Sequence, residues 1–264
     1  MSPASSAPIA AFDIETIPDV AALRACRGLS DNISDQEVVE MDARLRRQEK
    51  NNDFLPPHFQ RIAVISCVVR YFDGRETPLK VLSFGAPEDD EEKAVSTFFL
   101  LVKKLTPQLV SWNGGGFDLP VLQWRGLKFG ISAPRYWQTD GADGFGGQFR
   151  WNNYLARFHE RHLDLMDVMG MYQSRAKLGD AARLCGLPGK IGIGGEHVWD
   201  AWCAGKHDDI RHYCENDALL TYLLFVRFQY FRGDPRYPSI EEEYAVAREQ
   251  LNSPRWDEFW TKCD

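Results

Sequence analysis

Asp13 and Glu15 stand one residue apart in a short apolar run, Ala11-Phe12-Asp13-Ile14-Glu15-Thr16. Paired acids in such a setting are suited to holding a divalent cation. Ile9 to Glu15 reads as a strand. Strand side chains alternate faces, so the two carboxylates share one face about 6.6 Å apart along the backbone, while Phe12 and Ile14 point into the opposite layer. Like charges there repel unless something cationic lies between them. Taken alone, the pair also fits a strand end with two hydrated acids.

Two further acids fall in separate elements. Leu109 to Trp112 reads as a strand that runs into Asn113-Gly114-Gly115-Gly116-Phe117-Asp118. Helix signals follow to about Phe129, with Asp118 placed as an N-cap and Pro120 in the first turn. The glycines let the backbone pass close to something, but the G-x-x-x-x-G-K pattern is missing, so no small-molecule phosphate loop is required. Asp217 lies within Ile210 to Phe228, a helix of about five turns. Tyr213, Asp217, Leu220 and Leu224 fall at i, i+4, i+7 and i+11 on one stripe. An acid on a core-facing stripe must be paired, neutralised or bound to a cation. Tyr213, one turn earlier, reaches the same locality.

The elements that must position these acids follow from pattern. Residues 61–70 and 80–84 read as a hairpin about Asp73-Gly74, which makes the first three strands antiparallel. Glu91 to Leu105 is a helix with Val95, Phe98, Phe99, Val102 and Leu105 on its buried face. Residues 162–166 suggest a strand end with His162 and Asp164 on one face, a structural pair or a support for a metal site. Residues 176–186 suggest a small helix closed by Gly186, and Gly189 to Gly195 a turn. Residues 20–58 are a polar, charge-mixed insertion with a helix over 37–50, whose thin apolar stripe is Val38, Met41 and Leu45. Residues 131–161 interleave aromatics and cations: Arg135, Tyr136, Trp137, Phe145, Phe149, Arg150, Trp151, Tyr154, Arg157 and Arg161. That mixture fits a groove for single-stranded nucleic acid, or a loop folded back on the core.

The 264 residues, 44% of them hydrophobic, suffice for one substantial core. The six cysteines lack C-x-x-C spacing, so neither a zinc site nor a disulfide framework is expected. A net charge of −7 argues against a general polyanion binder but allows an enzyme with a local basic track. No long apolar run and no signal-peptide pattern appear, so a cytoplasmic protein without membrane contact is expected.

In this order, Asp13-x-Glu15, Asn113-x-x-x-Phe117-Asp118 and Tyr213-x-x-x-Asp217 resemble the three motifs of the DnaQ-like 3′–5′ exonucleases, with the tyrosine marking the DEDDy branch. The fuller wording, with His162-Leu-Asp-Leu-Met-Asp167, looks like stand-alone relatives of the exonuclease domain of B-family DNA polymerases. The resemblance implies an RNase H-like α/β fold: a mixed five-stranded sheet flanked by helices, with residues 1–232 as the exonuclease domain and 233–264 as an extension that packs on it or meets a partner. It implies two divalent metals, Mg²⁺ or Mn²⁺, with Asp13 bridging both, Glu15 and Asp217 completing the first site and Asp118 holding the second. Tyr213 would orient the attacking water. Ile14, Thr16, Ile17, Asn113 and Phe117 would surround the terminal nucleotide, and Arg150 and Trp151 would belong to the substrate track. The function expected is removal of nucleoside 5′-monophosphates from the 3′ end of single-stranded DNA, suited to DNA repair. The alternatives are an exoribonuclease, since the same acids handle RNA, and a non-catalytic nucleic-acid-binding module. Protein partners are left open.

Overall fold

The structure, a computed structural model, describes residues 7–52, 54–140, 147–171, 173 and 175–263. The first strand is longer than the sequence suggests: β1 spans Ile9–Pro18. Within the insertion, α1 (Val20–Arg27) precedes α2 (Asp35–Lys50). The capping box of Ser34 and Glu37 starts α2, and Leu23, Val38 and Leu55 give the pair a small core of its own. β2 (Gln60–Arg70) and β3 (Leu79–Gly85) form the expected hairpin. α3 (Glu91–Leu105), β4 (Gln108–Ser111) and α4 (Asp118–Phe129) follow. Next come α5 (Gln148–Trp151), β5 (His162–Asp164), α6 (Leu165–Met169), α7 (Leu178–Leu184) and α8 (Val198–Cys203). The long α9 (His207–Phe231), then α10 (Ile240–Gln250) and α11 (Asp257–Cys263), complete the chain.

The five strands lie in the order β3-β2-β1-β4-β5. β2 runs antiparallel to both β1 and β3, whereas β4 runs parallel to β1 and β5 parallel to β4. This is the mixed RNase H-like sheet. Its two faces carry separate cores. Ile9 and Ala11 of β1 pack with α7, α9 and the C-terminal helices; Ala10, Phe12 and Ile14 pack with α3 and α4. The alternation of β1 therefore decides which helix each acid meets. Asp13 and Glu15 share the parity of Ile9 and Ala11, so they face α9.

β4 stops early. Its register with β1 ends at Ala11↔Val110, so β1 runs on past it through Pro18. The loop after β4 crosses that open end of the sheet and starts α4. Trp256 and Phe259, 5% and 1% exposed, join the α9 core, and Arg255 reaches Glu215 of α9 at 2.6 Å. Among the described residues no helix is long and apolar enough to cross a membrane.

Candidate active site

Strand β1 presents Asp13 and Glu15 to the α9 face, and the stripe of α9 returns Asp217. One carboxylate oxygen from each of the three lies within 4.8 Å of the others. Asp217 is fully buried and Glu15 is 8% exposed. Asp13 Oδ2 and Asp217 Oδ1 are enclosed and have no hydrogen-bond partner among the described residues. Orphaned carboxylate oxygens in so tight a cluster fit a hard divalent cation, which takes oxygen ligands. The fourth acid arrives from the opposite face. Asp118 is 5% exposed, and the backbone N–H groups of Asp118 and Ile14 lie where they favour its charged form.

Asp118 is not the N-cap that its sequence position suggests. Phe117 occupies that place without a capping side chain, and Asp118 is the first helical residue. Its carboxylate turns to the strand, still at the helix end that favours an anion. The preceding loop is pinned from β5: Asp164 accepts the N–H groups of Asn113 and Gly115, each at 2.9 Å. Asn113 has a left-handed backbone (φ 67°). At Gly114 any Cβ would fall 2.3 Å from the Ser111 hydroxyl, so the loop needs glycine to close over β4. His162 bonds Ser111 at 2.8 Å, so His162 holds the end of β4 while Asp164 holds the loop that follows.

The residue that the sequence did not disclose is Lys190. Its ammonium forms an ion pair with Asp217 and donates to the Tyr213 hydroxyl at 2.8 Å. It comes from the glycine-rich stretch read as a mere turn, which wraps Tyr213: Gly192 (φ 114°) sits with its missing Cβ 3.2 Å from the ring. The signal was a single cation in an otherwise apolar glycine run, Gly189-Lys190-Ile191-Gly192.

Burial first, then mutual repulsion, raises Asp13 and Glu15 well above the carboxylate range, and Lys190 only partly offsets it. Burial also raises Asp217, against the pull of Lys190. Asp118 is pushed up to about 7, mainly by burial. For Lys190, burial works against the charge, but Asp217 and Asp13 together outweigh it and raise its pKa. Burial, then the charges of Asp217 and Glu15, raises the Tyr213 phenol. The His162 imidazole is lowered to about 4 by burial.

The expected substrate contacts lie at different depths. Ile14 and Ile17 are 4% and 2% exposed and belong to cores on opposite faces of the sheet, because β1 is covered on both sides. Thr16 is half-buried and shares the parity of Ile14, away from the acids. Asn113 and Phe117 stay half-buried beside the loop, and the Asn113 amide oxygen accepts from Arg175 at 3.2 Å. In the aromatic-basic segment Tyr136, Phe149 and Tyr154 are buried, and Arg161 lies 4.4 Å over the Phe149 ring. Trp137, Arg150 and Trp151 remain exposed. Phe145 lies outside the described residues. Beyond Gly115 and Gly116 opens a cavity of about 390 Å³ that reaches Gln123, Tyr154, Arg157 and Arg175.

A mixed sheet of this order brings Asp13, Glu15 and Asp217 together beyond the end of β4. The chain belongs to the family described as a predicted 3′–5′ exonuclease related to the exonuclease domain of PolB, whose pattern matches residues 52–263. That span includes Asp118, Tyr213 and Asp217, whereas Asp13 and Glu15 precede it. Over 158 residues the chain is 27% identical to a DNA polymerase of Archaeoglobus fulgidus, covering 56% of this chain and 20% of that one. The family B DNA polymerase of Pyrobaculum calidifontis superposes with a TM-score of 0.49 at 18% identity, covering 82% of this chain and 24% of that one. The chain thus spans about a fifth to a quarter of these relatives.

Proposed function

We propose that the protein is a 3′–5′ exonuclease of the DEDDy type, acting on single-stranded DNA and releasing nucleoside 5′-monophosphates. The observation that carries this reading is the convergence of Asp13, Glu15 and Asp217 within 4.8 Å, with Asp13 Oδ2 and Asp217 Oδ1 unpartnered among the described residues, in a chain of an exonuclease family. Two divalent cations, Mg²⁺ or Mn²⁺, held by Asp13, Glu15 and Asp217 and by Asp13 and Asp118, would supply Lewis acidity at the attacking and leaving oxygens.

The protein's own groups do the positioning. Tyr213 stays protonated at neutral pH, so it is a hydrogen-bonding group and not a base. Lys190 donates to its oxygen, which leaves the phenol proton free to bond and orient the attacking water. Water attacks phosphorus at the terminal phosphodiester, the bond to the 3′ oxygen of the shortened strand breaks, and that oxygen takes up a proton. The loop of Asn113 and Phe117 lies beside the terminal nucleotide. Arg150 and Trp151 lie on the track of the strand, and residues 233–264 form an extension integral to the domain of residues 1–232.

The test follows 5′-labelled single-stranded DNA and RNA of matched sequence with Mg²⁺, Mn²⁺ or EDTA. A metal-dependent ladder that shortens from the 3′ end, faster on DNA, is expected. Asp217→Asn and Asp13→Ala should abolish it while the protein still melts cooperatively. Undiminished cleavage by either variant overturns the site, and faster RNA cleavage overturns the substrate.

A further inference from the structure

The insertion ends against Phe117, the residue before Asp118. Phe54, in its last stretch, packs edge-on to Phe117 with ring centroids 5.4 Å apart at 61°. One helical turn of sequence later, His58 meets Trp124 of α4 in the same manner, at 5.7 Å and 60°. Phe117 and Trp124 are seven residues apart, about two helical turns, so the two aromatic pairs form successive rungs along one side of α4. The rungs differ in their neighbours. The lower one joins the insertion to the helix body; the upper one stands beside Asp118.

Phe54 is not there to fill a core. It is 58% exposed, whereas the adjacent Leu55 is 8% exposed and takes the buried place in the core of the insertion. Its backbone is nonetheless held on both sides: its N–H bonds the Asn52 side chain at 2.9 Å, and Gln60 donates to the Leu55 carbonyl at 3.0 Å. A large aromatic ring kept in water, on a braced backbone, next to a half-buried aromatic one residue before Asp118, is a platform for another flat ring.

We infer that Phe54 and Phe117 together receive the 3′-terminal base, the insertion supplying an aromatic wall that the three acidic motifs do not contain. Phe54 acts by stacking, which every base accepts, so the wall selects for the presence of a base and not for its identity. This rests on the exonuclease reading, and the test separates the two. Single-stranded oligonucleotides ending in a normal nucleotide or in an abasic residue are digested by the wild type, Phe54→Ala and Phe54→Trp, with melting temperatures recorded for each. Phe54→Ala is expected to lower kcat/KM about 10-fold on the normal end, the loss of one stacked base, leave the abasic end unchanged, and be rescued by Phe54→Trp. In parallel, an oligonucleotide with 2-aminopurine at its 3′ end is titrated in Ca²⁺; its fluorescence should be quenched by the wild type and not by Phe54→Ala. Equal loss on both ends, no loss on either, or no Phe54-dependent quenching overturns the inference. Phe54-dependent quenching in a protein that cleaves nothing supports it and overturns the exonuclease reading instead.

Discussion

Four carboxylates around one ammonium set how the site responds to protons. A carboxyl whose pKa is raised on folding holds its proton more tightly in the folded state. It therefore favours the fold below its unfolded pKa, near 4, and that contribution is lost as the pH climbs through the raised value. For Asp118 that value is about 7, and Asp13, Glu15 and Asp217 are shifted in the same direction. With EDTA present, the melting temperature should fall between pH 4 and pH 8. Added Mn²⁺ should restore it, more at pH 8 than at pH 5, because ligation requires the deprotonated form. A Mn²⁺ effect independent of pH in thermal scans would contradict this. Asp19 behaves in the opposite sense. Despite burial, Lys128, Arg125 and the Ala22 N–H lower it to about 2, so it stabilises the fold above pH 4 and loses that contribution as the pH falls through 2.

Between the elements, Arg125 is the buried tie. Only 2% exposed, it bonds Asp19 at the end of β1 at 2.6 Å and Glu91 at the start of α3. Glu91 in turn accepts the Ile62 N–H of β2. The helix that carries Asp118 is thereby fixed to the strand that carries Asp13. Arg125→Ala takes the buried guanidinium from two acids, leaving Asp19 to Lys128 and the Ala22 N–H and Glu91 to the Ile62 N–H and the more distant Arg61, and should cost about 3 kcal/mol, read from urea denaturation; a loss below about 1 kcal/mol would show the network to be incidental. The legibility of the chain divides at the same level. α3 was visible to the residue because its apolar spacing is regular, α4 to within a residue of its start because Pro120 marks a first turn, and the acids of β1 and α9 because a charge among apolar neighbours demands a partner. Lys190 and Phe54 were not visible, because each comes from a loop or insertion whose local pattern is irregular and acquires its neighbour only through the fold. The aromatic-basic segment misled in part: composition cannot tell that Arg161 stacks inward on Phe149 while Trp151 stays out.

Across the whole molecule, a net charge of −7 means that a polyanion is drawn by local cations and not by the overall charge. Trp151, 77% exposed, and the exposed Arg150 stand on α5, outside the packed faces. Trp151→Ala or Arg150→Ala should weaken single-strand binding several-fold at low salt, with the arginine variant also showing a shallower salt dependence. Unchanged affinity in a fluorescence anisotropy titration would remove α5 from the track.

The floor of the site also carries chemistry of another kind. Cys214 lies one turn before Asp217 and donates its thiol to the Asp13 carbonyl at 3.3 Å. It and Cys67 are buried, whereas Cys26 and Cys203 are exposed. Burial raises the Cys214 thiol well above its usual range, and Cys67 to about 12, so neither forms a ready thiolate while the fold is closed. A thiol reagent therefore meets fast surface cysteines and slow interior ones, and alkylation at Cys214 serves as a chemical clock for how often the strand bearing the acids separates from the helix behind it.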